Sequence, residues 1–132
     1  MSAWLMMQKQ TVEHIRRLNI NGGGCFELPS VSRNMNRFFD LFLSGSALCE
    51  GCKAVFFYAD DLENPFYEQT FSETIHTNNN DWIVSVSRWD LRREGYKGEF
   101  QILIRVYAVD GSEIAEILIP VRGKRGIKRK GT

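Results

Sequence analysis

The sequence predicts an α+β domain: one or two N-terminal helices followed by a predominantly antiparallel β-sandwich or curled sheet of about five to seven strands. Residues 3–18 carry apolar side chains at helical spacing, and residues 33–43 carry an aromatic stripe at the same spacing. From Lys53 onward, apolar residues either alternate with polar ones or form short blocks between turn residues, which is typical of strands.

The first predicted helix covers residues 3–18. Leu5, Val12 and Ile15 lie on one face of such a helix, while charged residues lie on the other. Gly22-Gly23-Gly24 follows and suits a C-cap and loop, because glycine adopts the left-handed conformation without strain. A phosphate-binding loop would need a preceding strand and a following helix with Lys, so we favour the conformational interpretation.

The second predicted helix covers residues 33–43, with Ser32 as its N-cap and Gly45 after its end. Its apolar stripe consists of Met35, Phe38, Phe39 and Phe42. Aromatic residues at this spacing usually pack into a core, so we assign them no ligand.

The remaining chain is predicted to be β-rich. Strands are expected at residues 25–28, 54–59, 67–75 and 82–89, with a turn at residues 77–80 and a charged loop at residues 90–98.

Residues 98–122 predict the central hairpin of the fold. Phe100, Ile102 and Ile104 alternate with polar or outward residues, and Asp110-Gly111 favours a two-residue type I′ turn. That turn pairs Ile104 with Ile117, Arg105 with Glu116 and Tyr107 with Ile114. The Arg105–Glu116 ion pair should contribute about 0.2–1 kcal/mol.

Length and charge predict one globular domain over residues 1–121 and a flexible basic tail over residues 122–132. Six of the 17 Lys and Arg residues lie in the tail, which leaves 11 basic and 16 acidic residues in the body, a net charge of about −5. The tail is the candidate binding site for an anionic partner, either nucleic acid or an acidic protein surface. Its basic residues are Arg122, Lys124, Arg125, Lys128, Arg129 and Lys130. A solubilising role, a nuclear-localisation signal or a patch that binds anionic membranes are the alternatives.

Three cysteines, an odd number, favour a reducing compartment, and no signal peptide or membrane span is apparent. We therefore expect an intracellular protein, cytoplasmic or nuclear. Cys49 and Cys52 form a CxxC pair, which is half of a zinc site or a redox motif. Further zinc ligands would have to come from Cys25, His14 or His76, so a zinc-stabilised module remains an alternative.

Tyr58-Ala59-Asp60-Asp61 resembles the YxDD motif of reverse transcriptases, in which two carboxylates hold metal ions. A polymerase palm needs a further Asp upstream and a longer chain, so we favour a buried strand that ends in a polar turn. A small enzyme using His76 and scattered acids is the competing class. We favour a non-enzymatic binding or assembly module without cofactor, such as a small viral or phage structural or accessory protein, which could form a homo-oligomer.

Overall fold

The computed structural model describes residues 15–35 and 38–123. These residues form nine strands, one 3-10 turn at Glu73–Ile75 and a single α-helical turn, α1, at Arg88–Arg92. The strands are β1 (Ile15–Asn19), β2 (Gly24–Glu27), β3 (Val31–Ser32), β4 (Phe39–Ser44), β5 (Lys53–Tyr58), β6 (Tyr67–Thr70), β7 (Trp82–Val86), β8 (Phe100–Tyr107) and β9 (Glu113–Arg122). None of the described helical segments is long and apolar enough to cross a membrane.

The strands form two mixed sheets. The smaller sheet has the order β1-β4-β7, and the larger has the order β2-β9-β8-β5-β6 with β3 also paired to β9. β1 runs parallel to β4, and both β2 and β3 run parallel to β9. The other pairs are antiparallel. One core cluster contains inward residues of both sheets, among them Leu41 and Val84 from the smaller sheet and Ile104 and Ile117 from the larger. This arrangement is compatible with a β-sandwich.

The predicted α+β class is wrong, because the described chain begins with a strand rather than a helix. β1 occupies residues 15–19 of the first predicted helix, and residues 3–14 of that helix lie outside the described residues. The guanidinium groups of Arg16 and Arg17 lie 5.4 and 4.6 Å from the ring centroids of Phe39 and Phe42 on β4. Arg16 and Arg17, which would lie on the solvated face of the predicted helix, thus cover aromatic rings of the neighbouring strand β4.

The second predicted helix is also wrong. Val31 and Ser32 form β3, and the chain continues as β4 from Phe39. Phe39, Leu41 and Leu43 are buried, whereas the residues between them are half-buried. Burial with a period of two is typical of a strand. Phe38, Phe39 and Phe42 also have the spacing of one helix face, so the sequence pattern indicates a helix.

The hairpin of β8 and β9 is confirmed over most of its length. Ile104 pairs with Ile117, Arg105 with Glu116, and Phe100 with Val121. The Arg105 Nε to Glu116 Oε2 distance is 2.9 Å.

The predicted turn of this hairpin is wrong. A bulge after Val106 pairs Tyr107 with Glu113 instead of Ile114. Gly111 has a φ of 92°, but Asp110 has no positive φ, so the type I′ geometry is not met. A three-residue loop, residues 109–111, with a left-handed glycine in its last position closes the hairpin instead. Ile114 is the residue without a partner in the bulge.

Among the remaining predicted strands, β2 and β5 agree with the sequence pattern within a residue or two. β6 ends at Thr70 and gives way to the 3-10 turn, so the predicted strand to residue 75 is too long. β7 ends at Val86, and α1 replaces part of the predicted strand and loop. Thr77 and Asn80 form the expected turn, with the Asn80 N–H donating to Thr77 O at 3.1 Å.

The three glycines form the turn that joins β1 to β2. All three have positive φ, and a Cβ on Gly23 would lie 2.7 Å from the backbone oxygen of Ile114. The close approach allows the chain to turn onto the edge of β9, where β2 pairs.

Candidate nucleic-acid interface

Of the six predicted basic site residues, the structure describes Arg122, the last residue of β9. Lys124, Arg125, Lys128, Arg129 and Lys130 lie outside the described residues. The position of Arg122 shows from which end of the two-sheet body the basic C-terminal segment departs.

That end contains several chain segments, and we call it the α1 end. It comprises α1, the turn at residues 93–98, the loop after β5, and the end of β9. Tyr58, the last residue of β5, donates its hydroxyl hydrogen to Asp90 O of α1 at 3.1 Å. Burial of the Tyr58 side chain raises the pKa of its hydroxyl, which therefore stays protonated as a donor at neutral pH.

Arg33 joins the end of β9 to α1. Its backbone N–H donates to Arg122 O at 3.1 Å. Its guanidinium donates to Gly98 O at 2.8 Å, to Tyr96 O at 2.7 Å, and also to Arg92 O. The residue is 8% exposed, so these bonds are shielded from water. Arg33 thus holds Arg122, the last residue of β9, close to α1.

α1 begins with a side-chain cap. Ser87 Oγ accepts the backbone N–H of Asp90 at 3.2 Å and donates to the Asp90 carboxylate at 3.0 Å. Leu91 is buried and anchors the inner face. Arg93 adopts the left-handed conformation as C-cap, which ends the helix after one turn.

The outer face of α1 carries an exposed aromatic ring between arginines. Trp89 is 62% exposed. The guanidinium carbons of Arg88 and Arg92 lie 4.9 and 5.5 Å from its ring centroid. We call these three residues the Trp89 platform. It presents a large π-surface together with two hydrogen-bond-donating cations.

Arg93 forms a second cation–aromatic cluster beside the platform. Its guanidinium carbon lies 4.0 Å from the Tyr58 ring and 4.1 Å from the Tyr96 ring. Its Nη2 lies 2.8 Å from Asp60 Oδ1, and this hydrogen bond lowers the pKa of the Asp60 carboxyl. Tyr58 and Asp60 of the YxDD segment therefore have packing and ion-pairing partners, and this agrees with the polar-turn interpretation.

A cleft of about 600 Å³ opens between the turn at residues 93–98 and the end of β9. Its lining includes Asp60, Tyr96, Glu99, Phe100, Gln101 and Arg122. The cleft lining thus contains one cation, Arg122, and two carboxylates, of which Asp60 is ion-paired with Arg93.

The cysteine and histidine candidates lie on several different elements. Cys25 is exposed on β2, and Cys49 and Cys52 lie in the turn before β5. The His76 ring packs against Trp82 in a tilted arrangement with a centroid distance of 4.2 Å, and its Nε2 lies 2.9 Å from Asn80 Oδ1. Across residues 15–35 and 38–123, no group of three or more His, Cys, Asp or Glu side chains could hold a metal ion. His14 lies outside those ranges.

Sequence reasoning missed the Trp89 platform and Arg33. A local signal for α1 does exist, because Ser87 and Asp90 have the spacing of a capping box. Arg33 has no comparable signal, since its partners are 59 to 65 residues away in the chain.

Comparison with known proteins found no matching family model, no similar curated protein and no matching solved structure.

Proposed function

We propose that this protein is a non-enzymatic β-sandwich binding module that engages single-stranded nucleic acid at the α1 end. The Trp89 platform stacks on a base, and the basic C-terminal segment contacts the phosphates. The partner is anionic because the segment after Arg122 contributes five further positive groups and no acid.

The exposure of Trp89 is the observation that supports this proposal most. At 62% exposed, the indole ring is accessible to a partner molecule and offers it a large flat π-surface. The two guanidiniums over the ring favour a partner that combines flat π-surfaces with negative charge. Single-stranded nucleic acid has both, because its unpaired bases are open for stacking and each is linked to phosphate.

The connection between the platform and the basic segment is the second support. Arg33 bonds to Arg122 O through its backbone and to Arg92 O through its side chain. The segment therefore begins close to α1, and one strand of nucleic acid could contact both. Acids also lie at this end: Asp60 forms an ion pair with Arg93, whereas Asp90 accepts a hydrogen bond from the uncharged Ser87 hydroxyl and keeps its negative charge. Most of the attraction must consequently come from residues 124–130.

Replacing Trp89 by Ala should weaken binding of a short single-stranded oligonucleotide by about fivefold to 150-fold. Loss of one base–aromatic stack costs about 1–3 kcal/mol, and each 1.4 kcal/mol is tenfold in Kd. Fluorescence anisotropy of a labelled oligonucleotide, titrated with each protein, measures the difference.

Val109→Ala is the matched control for Trp89→Ala. Val109 is 64% exposed and lies in the β8–β9 turn, at the other end of β8 from the Phe100 end that lines the cleft. Its removal should leave Kd unchanged. Equal affinity of Trp89→Ala and wild type would remove the platform from the proposed interface. Preference for an acidic peptide over the oligonucleotide would make the partner a protein surface instead.

A further inference from the structure

The CxxC pair lies in a turn whose geometry brings the two thiols together. The Sγ atoms of Cys49 and Cys52 are 3.8 Å apart. The Cys52 N–H donates to Cys49 O at 3.2 Å, and Gly51 has a φ of 100°, so the four residues form a hydrogen-bonded β-turn. The first and last Cα atoms of a β-turn are within 7 Å of each other, and a disulfide spans about 4.4–6.8 Å between Cα atoms.

The two thiols have different environments. Cys49 is exposed, whereas Cys52 is 0% exposed. The sulfur of Cys52 accepts the backbone N–H of Cys49 at 3.4 Å and also interacts with the backbone N–H of Val109. Burial nevertheless raises the pKa of the Cys52 thiol. A soluble oxidant can therefore reach Cys49 directly but can reach Cys52 only through Cys49.

We propose that Cys49 and Cys52 are a reversible oxidation site that closes to an intramolecular disulfide in reaction with a low-molecular-weight disulfide such as glutathione disulfide. The Cys49 thiolate attacks one sulfur of the oxidant and forms a mixed disulfide, and one thiolate leaves. Cys52 then loses its proton to water and attacks Cys49 Sγ, which displaces the second thiolate. Two electrons pass from the cysteine pair to the oxidant, which leaves as two thiols.

The surrounding contacts hold the turn in place during this reaction. Gly51 N–H donates to Phe71 O at 2.9 Å, and Phe71 N–H donates to Cys52 O at 2.8 Å. A Cβ on Gly51 would lie 3.1 Å from Val109 Cγ2, so the β8–β9 turn covers the same site. The sulfurs must approach by less than 2 Å, which rotation of the side chains can provide.

The site lies at the other end of β5 from α1. Cys52 directly precedes Lys53, the first residue of β5, whereas Tyr58 at the end of that strand bonds to α1. Oxidation of Cys49 and Cys52 should therefore leave nucleic-acid binding unchanged. The disulfide proposal can thus be tested independently of the proposed function.

Incubation of reduced full-length protein with glutathione disulfide, followed by acid quenching and mass spectrometry, tests the site. Wild type should lose about 2 Da, its free thiols should fall from three to one, and dithiothreitol should restore all three. Closure should become faster as the pH rises from about 7 to 9, because more Cys52 is then ionised.

Three variants complete the test. Cys25→Ser is the matched control and should still close the disulfide, because Cys25 lies on β2 outside the turn. Cys52→Ser should accumulate a stable mixed disulfide with glutathione at Cys49. Cys49→Ser should leave Cys52 a free thiol in the folded protein. A wild type that keeps Cys49 and Cys52 as thiols, or that links either of them to Cys25, would overturn the proposal, as would rapid glutathionylation of Cys52 in Cys49→Ser.

Discussion

Replacing Ile104 by Asp should lower the free energy of unfolding by more than about 4 kcal/mol, or prevent folding altogether. Ile104 is 0% exposed and pairs with Phe56 on one side and Ile117 on the other. A carboxylate at this place would be surrounded by apolar side chains without a donor or a counter-charge. Because whole domains are stable by about 5–15 kcal/mol, one such change is a large fraction of the total. Chemical denaturation followed by circular dichroism measures it.

Gln101→Asp is the control for this substitution, because it introduces the same carboxylate on the exposed face of the same strand. Its midpoint should stay close to that of wild type. If Ile104→Asp does not accumulate, Ile104→Ala should fold with a loss of about 2–5 kcal/mol. A midpoint for Ile104→Asp that equals that of Gln101→Asp would show that Ile104 does not face the core.

Replacing Arg33 by Met should cost about 3 kcal/mol. The methionine keeps much of the apolar stem but removes the donors to Arg92 O, Tyr96 O and Gly98 O. A fully buried carbonyl left without a donor costs about 1–3 kcal/mol, and these three are part-buried, so water entering the site would recover part of that. Thermal and chemical unfolding of the variant measure the loss.

Arg92→Met is the matched control, since the same side-chain change is made on the half-buried Arg92, whose backbone oxygen still accepts from Arg33. It should be close to wild type in stability. Arg33→Lys should be intermediate, because an ammonium keeps the charge but cannot reach three carbonyls with a planar fork. Equal stability of Arg33→Met and Arg92→Met would mean that the carbonyl cluster contributes nothing.

The β8–β9 hairpin could be predicted from sequence because its information is local. Phe100, Ile102 and Ile104 occupy every second position, and a single register places both the Arg105–Glu116 ion pair and this apolar face correctly. The predicted type I′ turn is wrong because Asp110-Gly111 is compatible with more than one loop length.

The N-terminal part could not be predicted in this way. β1 is only five residues long, and β3 only two, so neither contains enough alternation to define a period. Both pair in parallel with distant strands, β1 with β4 and β3 with β9. Such pairings depend on tertiary contacts that leave no local pattern, and the phenylalanines of β4 fit either period.

The basic segment of the candidate site can be recognised from the sequence, and its role in binding stays a prediction. The excess of Lys and Arg after Val121 is visible in the composition alone. The platform requires Trp89 to be exposed on α1, and exposure of a tryptophan cannot be derived from its neighbours in sequence. The link between the two depends on Arg33, whose partners are brought together only by the fold.

Removing residues 123–132 and measuring nucleic-acid affinity against salt tests the central proposal most directly. The truncation deletes five of the six basic groups at residues 122–132 and little apolar surface, so the body should fold as before. Binding of a single-stranded oligonucleotide should weaken by about tenfold or more, and the slope of log Kobs against log salt should flatten by about 3 units. Equal, weak binding by full-length and truncated protein would contradict the nucleic-acid proposal, and tight binding that survives truncation would contradict the role of the basic segment.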